Sequence, residues 1–226
     1  MDRSELTRAD EDYLKAIYEL VLRHGKAGTT KIAKALDVTP ASVTGMIRKL
    51  AGTTPPLLEY RKHRGVTLTA AGERAALGTV RHHRMLERFL HDVMGFSWDE
   101  VHDEADRLEH VISERFGERM AAMLGDPTHD PHGHPIPDRD LVMPGDDSVC
   151  LAQLEPGRPG VVGRVADSDP DLLRHLADIG LVPGTAVEVV ATEAEDGGLT
   201  VRVGGVGDPV ALGGPAAAAV FVEPAG

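Results

Sequence analysis

Thr30-Lys-Ile-Ala-Lys-Ala-Leu36, Asp37-Val38 and Thr39-Pro-Ala-Ser-Val-Thr-Gly-Met-Ile-Arg-Lys-Leu50 are the stretch that decides the fold. The first segment predicts a short helix, and Asp37-Val38 a turn. Thr39 then offers an N-cap hydroxyl, and Pro40 a first helical residue whose missing N–H is not needed there. The helix that follows turns Val43, Met46, Ile47 and Leu50 to one side and leaves Thr39, Ala41, Ser42, Thr44 and Gly45 outward. Two helices joined this tightly make a helix-turn-helix. Beyond them, Leu57-Leu-Glu-Tyr60 and Val66-Thr-Leu-Thr69 alternate as strands about Arg61-Lys-His-Arg-Gly65, a hairpin with a basic tip. Together these segments predict a winged helix.

The charge distribution supports a polyanionic partner for this part. The chain of 226 residues carries a net −12, but residues 1–91 hold sixteen Lys/Arg against ten Asp/Glu, and residues 92–226 eight against twenty-six. From Arg23 to Arg64 nine basic residues face only Asp37 and Glu59. Such a local footprint suits double-stranded DNA. The small outward residues Thr39, Pro40, Ala41, Ser42, Thr44 and Gly45 allow close approach to a groove and contact with thymine methyls. Arg48, Lys49, Arg61, Lys62, His63 and Arg64 are expected at phosphates. Upstream, Thr7 and Asp10 form a capping-box pattern. Leu14, Ile17, Tyr18 and Val21 then recur at helical spacing until Gly25, with Asp12 pointing away from that face.

Downstream, Thr69 opens a helix to about Met94, and Ser97-Trp-Asp-Glu100 is a second capping box. It introduces His102-Asp-Glu-Ala-Asp-Arg-Leu-Glu-His110, where helical geometry would put His102, Asp106, Glu109 and His110 on one stripe. His83 and Glu87 stand four apart on the preceding helix. Carboxylates and imidazoles collected this way suit a divalent transition metal. Charged stripes are also common as solvated faces, and eleven histidines will cluster somewhere by chance. The stripe gains weight from the DNA-type domain beside it. A segment from Ser113 to Leu124 adds Phe116, Met120 and Met123. Such apolar helices need a partner surface, which a twofold homodimer would supply while presenting paired recognition helices to a palindromic site.

Gly125 to Asp147, rich in Pro, Gly, His and Asp, reads as an irregular connector. Residues 149–154, 160–165, 186–192, 198–203 and 210–212 read as strands, interrupted by one helix over Leu172–Gly180, and together predict a small barrel of SH3 type. The expected class is therefore mainly α with a small β domain. Its divisions are a winged helix-turn-helix over 1–73, a helical metal-binding and dimerisation segment with the connector over 74–147, and an SH3-like domain over 148–226. The single cysteine, Cys150, excludes an intrachain disulfide and reads as a strand thiol. No apolar run reaches membrane-spanning length, and the N-terminus lacks a signal-type stretch, so a cytoplasmic protein with no membrane partner is expected.

An ordered series of motifs resembles the diphtheria-toxin-repressor family of metal-dependent transcriptional regulators. The series comprises Glu11-Asp-Tyr-Leu-Lys-Ala-Ile-Tyr-Glu-Leu20, Thr39-Pro-Ala-Ser-Val-Thr44, Arg64-Gly-Val-Thr-Leu-Thr69, His82-His-Arg-Met-Leu-Glu87, Val101-His-Asp-Glu-Ala105 with Glu109-His110, Pro131-His-Gly-His-Pro-Ile-Pro137, and Leu176-Ala-Asp-Ile-Gly-Leu-Val-Pro-Gly184. The resemblance implies a primary regulatory metal site at Asp12, Asp106, Glu109 and His110, and an ancillary site at His83, Glu87 and His102. Asp130 and His132 of the connector, and Asp167, are further candidates for the ancillary site. Arg164 stands where the iron-responsive branch has an acidic ligand, and arginine cannot ligate a metal. That branch also usually has Met and Cys where Asp12 and Asp106 stand. Carboxylates there favour harder ions, so the resemblance points to the manganese-responsive branch, with Mn²⁺ expected over Fe²⁺ and other divalent transition metals able to substitute in vitro.

The expected activity is metal-activated, dimeric repression of metal-uptake or homeostasis genes, without enzymatic activity or an organic substrate. An iron-responsive regulator of the same family is the near alternative. A dinuclear metallohydrolase would need open coordination positions and a substrate pocket, and gives the basic wing no role. A winged-helix regulator of another ligand would leave the stripe as surface charge.

Overall fold

The computed structural model describes residues 6–61, 65–193, 197–205 and 207–225, which pack as two compact units. One comprises Met1–His82, Glu109–Ile112 and Pro137–Met143, and the other His83–Leu108, Ser113–Ile136 and Pro144–Gly226.

In the first unit, α1 (Arg8–His24) begins at a complete capping box, in which the Thr7 hydroxyl and the Asp10 carboxylate each accept from the other residue's backbone N–H. It ends at Gly25, whose φ of 71° is the left-handed conformation that glycine tolerates best. α2 (Thr29–Ala35) and α3 (Pro40–Ala51) follow, with Thr39 accepting from the Ser42 N–H as the N-cap of α3. β1 (Leu58–Arg61) and β2 (Gly65–Leu68) pair antiparallel from Leu58↔Leu68 to Arg61↔Gly65, and α4 (Ala70–Asp92) starts directly after them. Leu14, Ile17, Ile32, Val43, Ile47, Leu50, Val66, Leu77 and Val80 form the core of this winged helix. Each such side chain contributes about 1.5–3 kcal/mol when removed from water. Lys49 of α3 donates to both Asp10 oxygens at 2.7 and 2.8 Å, tying the second helix of the motif to the start of α1. The wing tip expected at Lys62, His63 and Arg64 lies outside the described residues.

In the second unit, the remainder of α4 is followed by α5 (Val101–Leu108) and α6 (Glu114–Leu124). One expectation is corrected here. The helix carrying the metal-type stripe stops at Leu108, and Glu109 and His110 occupy the turn that leads to Ser113, the N-cap of α6. The i, i+7, i+8 relation to His102 is therefore lost. Glu109 and His110 belong to the first unit, whereas His102 and Asp106 belong to the second.

The C-terminal part forms one six-stranded antiparallel sheet in the order β3-β8-β4-β5-β6-β7. Its strands are β3 (Val149–Cys150), β4 (Pro159–Val165), β5 (Ala186–Thr192), β6 (Leu199–Val203), β7 (Val210–Leu212) and β8 (Val220–Pro224). α7 (Pro170–Asp178) links β4 to β5, and α8 (Gly214–Ala219) precedes β8. Among the described residues β3 and β7 are not paired, so the sheet is SH3-like but does not close as a barrel. The expected strand 149–154 is two residues long and then turns through a 3-10 segment, Leu151–Gln153. β8 went unpredicted although it lies between β3 and β4. Ala216–Ala219, which carries no strand signal, is instead the helix that feeds it.

Candidate metal centres and DNA-reading face

Two clusters of nitrogen and oxygen donors emerge, one within each unit. In the first unit, α1 brings Glu11 and Asp12 to the turn that holds Glu109 and His110. His110 Nδ1 lies 2.6 Å from Glu11 Oε2, while Nε2 lies 2.8 Å from Asp12 Oδ1 and 3.2 Å from Glu109 Oε1. Lys15 Nζ donates to Glu109 Oε2 at 2.8 Å. The side chains of Glu109 and His110 are 1% and 4% exposed, so their charges must be answered locally. Burial alone would lower the His110 pKa, but hydrogen bonds to Asp12, Glu109 and Glu11 overcome it and push it up to about 11. A proton on His110 and the Lys15 ammonium thus offset two of the three carboxylate charges of Glu11, Asp12 and Glu109. Asp12, Glu109 and His110 each offer a ligand atom within 4.8 Å of the others, a hard donor set suited to a divalent ion. Glu11 and Lys15 were missed at the sequence level, and the signal available for Glu11 was its place directly before Asp12.

Asp106 makes its described contacts elsewhere. Its Oδ1 lies 3.2 Å from His83 Nδ1 and its Oδ2 3.9 Å from His102 Nε2, both within the second unit. The reason is the end of α5 at Leu108, which keeps Asp106 on the helix and releases Glu109 and His110 from it.

The second cluster collects residues from α4, α5, the connector and the chain after β4. His83 Nε2 and His102 Nδ1 each lie 3.0 Å from Glu87 Oε1 and 3.2 Å from one another. His132 Nδ1 stands 3.8 Å from the same Glu87 oxygen, and Asp167 Oδ2 3.8 Å from His102 Nδ1. His134 adds its Nδ1 at 3.3 Å from Asp130 Oδ2 and 3.4 Å from Asp167 Oδ2. The connector is held in place by its backbone. Val165 N–H donates to the His132 carbonyl, and a Cβ on Gly133 (φ 88°) would meet the Gly163 oxygen at 2.0 Å, so only glycine lets the loop lie this close to β4. Asp130 Oδ1 accepts from the His132 and His134 N–H groups at 2.8 and 2.9 Å, which fixes the turn.

Carboxylates and imidazoles in this cluster shift one another. Burial alone would raise the Glu87 carboxyl, yet His83, His102 and His132 hold it well below the usual range. Asp167 is likewise lowered against its burial by His134 and His102. Burial would lower His102 and His134, but Glu87 and Asp167 raise the first, and Asp130 and Asp167 the second. Four buried atoms in the cluster nevertheless lack a hydrogen-bond partner among the described residues, namely Glu87 Oε2, Asp130 Oδ2, His132 Nδ1 and His134 Nδ1. Buried polar atoms left this way are costly, and donors of this type fit a divalent cation. Asp169, by contrast, is the N-cap of α7. Arg164 is engaged by Asp146 and lies over the Phe221 ring, 3.6 Å from its centroid.

On the helix-turn-helix, Thr39, Pro40, Ala41, Ser42, Thr44, Gly45 and Arg48 are all exposed. Thr39 and Ser42 hydroxyls pair at 2.9 Å and Thr44 donates to the Pro40 carbonyl, so these hydroxyls are engaged within the helix start. Lys49, expected at a phosphate, is bound to Asp10. Arg61 stands at the end of β1 near Glu59.

Three family descriptions match in succession. Residues 5–66 match the iron-dependent-repressor N-terminal DNA-binding domain, residues 69–138 the iron-dependent-repressor metal-binding and dimerisation domain, and residues 149–224 the FeoA domain. The iron-dependent repressor IdeR of Mycobacterium tuberculosis is 36% identical over 216 residues, covering 89% of this chain and 91% of that protein. The transcriptional regulator MntR of Oceanobacillus iheyensis is 38% identical over 107 residues, 47% of this chain and 71% of that one. Among solved structures, a manganese-dependent transcriptional repressor in complex with manganese superposes with a TM-score of 0.88 at 39% identity, covering 96% of this chain and all of the other.

Proposed function

Since the chain belongs to the diphtheria-toxin-repressor family, we propose that it is a divalent-metal-activated, homodimeric repressor that binds palindromic double-stranded operator DNA in the cytoplasm and controls metal-uptake or homeostasis genes. Residues 1–73 read the DNA, 74–147 sense metal and dimerise, and 148–226 form the SH3-like part. The observation that carries this reading is the meeting of Asp12 with Glu109 and His110, almost a hundred residues apart in sequence, in one set of hard donors.

A bound divalent ion would supply positive charge shared among carboxylates from separate elements. Asp12 would hold it from α1, and Glu109 and His110 from the turn after α5, with Asp106 as the fourth ligand that the family resemblance implies. Glu11 orients the His110 ring. Ligating imidazole is neutral, so His110 would give up its proton on holding the ion. Held in this way, α1 carries the helix-turn-helix into the arrangement in which the paired α3 helices of a dimer fit successive major grooves, about 34 Å apart. The metal acts by favouring that arrangement over others, a population shift.

Mn²⁺ is favoured over Fe²⁺, because the donors of both clusters are imidazole and carboxylate, without sulfur. The named iron-dependent relative keeps Fe²⁺ as the alternative. Operator-binding titrations with Mn²⁺, Fe²⁺, Zn²⁺ and a chelator test the proposal. Metal-stimulated binding, strongest with Mn²⁺ at physiological concentrations, is expected. Operator affinity indifferent to chelation would reject it.

A further inference from the structure

We propose that the second cluster is a two-ion centre, in which Glu87 and Asp167 bridge one ion held by His83 and His102 and a second held by Asp130, His132 and His134. This deepens the metal-sensor reading and rests on it. The first observation is an excess of donors. His83, Glu87, His102, Asp130, His132, His134 and Asp167 form one continuous series of near neighbours, and seven ligating side chains exceed the six positions of an octahedral ion.

Shared carboxylates link the two halves. Glu87 Oε1 reaches the imidazoles of His83 and His102 on one side and His132 on the other, while its Oε2 is buried without a hydrogen-bond partner. Asp167 Oδ2 stands between His102 Nδ1 and His134 Nδ1, at 3.8 and 3.4 Å. Carboxylates that reach both ways are the usual connection between paired ions.

The second half is also prepared for a ligand. His132 Nε2 lies 2.8 Å from the Trp98 carbonyl, which can only accept, so the ring donates there and Nδ1 keeps its lone pair. That nitrogen is fully buried and has no hydrogen-bond partner. Asp130 is 2% exposed, and its Oδ1 is used by two backbone N–H groups while its Oδ2 has no hydrogen bond. Arg84 Nε stands 3.9 Å from that oxygen, beyond hydrogen-bond reach, and Arg84 Nη1 donates instead to the Pro135 carbonyl.

The full-length protein, dialysed against Mn²⁺ alone and analysed for bound metal and by electron paramagnetic resonance, tests the proposal. Expected are about three Mn²⁺ per chain, one at the first centre and two here, with a spectrum broadened by coupling between neighbouring ions. Asp130→Asn keeps the Oδ1 acceptor of the turn, and His134→Gln keeps bulk and polarity. Each is expected to lose one equivalent of metal and the coupled signal, with circular dichroism reporting that the fold persists. Two equivalents without coupling, alongside metal-dependent operator binding, would overturn the two-ion centre and leave the sensor reading intact; His134 would then be the protonated counter-ion of Asp130 and Asp167. No bound metal at all would overturn both.

Discussion

His110 Nδ1 and Glu11 Oε2 lie 2.6 Å apart, a carboxylate–imidazole pair that fixes the ring and leaves Nε2 facing Asp12 and Glu109. Glu11 is a positioning residue by this geometry. Such outer partners typically contribute 10–100-fold to metal affinity. Glu11→Gln is therefore expected to weaken Mn²⁺ binding at the first centre by roughly that factor. Operator affinity at saturating Mn²⁺ should stay close to that of the parent. Competition with a fluorescent chelator reads the first effect, and an unchanged Mn²⁺ affinity would remove Glu11 from this role.

The raised His110 pKa gives a pH dependence whose sign is fixed. A group moved from 6.5 to about 11 stabilises the metal-free fold fully below pH 6.5 and loses that contribution as pH rises through about 11. Metal must displace this proton, so loading at pH 7 should release about one proton from His110. Apparent affinity should rise by up to about tenfold per pH unit within that window. Calorimetry in two buffers of different ionisation enthalpy measures the proton count. Loading at pH 7 without proton release would contradict the assignment.

Asp106 combines a place three residues before Glu109 with contacts to His83 and His102. Asp106→Ala is expected to raise the Mn²⁺ concentration for half-maximal operator binding at least about tenfold, while sedimentation still reports a dimer. Metal-stimulated binding equal to that of the parent would exclude Asp106 as a ligand in either centre.

Lys49 and Arg48 are neighbours with different employment. Arg48→Ala should weaken operator binding across sequences and reduce the salt slope by about one. Lys49→Ala should instead loosen α3 from α1, at a cost of up to about 1 kcal/mol because the lysine is half exposed. Asp10→Ala, which removes a buried carboxylate serving both the cap and Lys49, should cost about 1–3 kcal/mol in urea unfolding. Burial would raise the Asp10 pKa, but Lys49 and Thr7 hold it below its ordinary 3.8. Its stabilising contribution is therefore present above pH 3.8 and lost as pH falls through the lowered value. Equal acid sensitivity of the parent and Asp10→Ala would refute this.

The elements were legible in the sequence where signal was local. Thr7 with Asp10, Thr39 with Pro40 and Ser113 mark helix starts by hydrogen bonds within one turn. Core positions such as Leu14, Ile17, Val43 and Leu50 follow from the 3.6-residue period. β8 escaped because its pairing with β3 and β4 is long-range, and nothing in Val220–Pro224 alone names a partner.

Sequence by itself determined which donors exist: imidazole and carboxylate without sulfur, on helices that recur at readable spacing, beside a basic winged helix. Only the tertiary structure decided how those donors are shared out. The end of α5 at Leu108 sends Asp106 toward His83 and His102 and frees Glu109 and His110 to meet Asp12, because a helix keeps its residues on one rigid face whereas a turn can deliver the next two elsewhere. Gly133 does the same for His132 and His134, since a close backbone approach to β4 has no signature until both segments are in place.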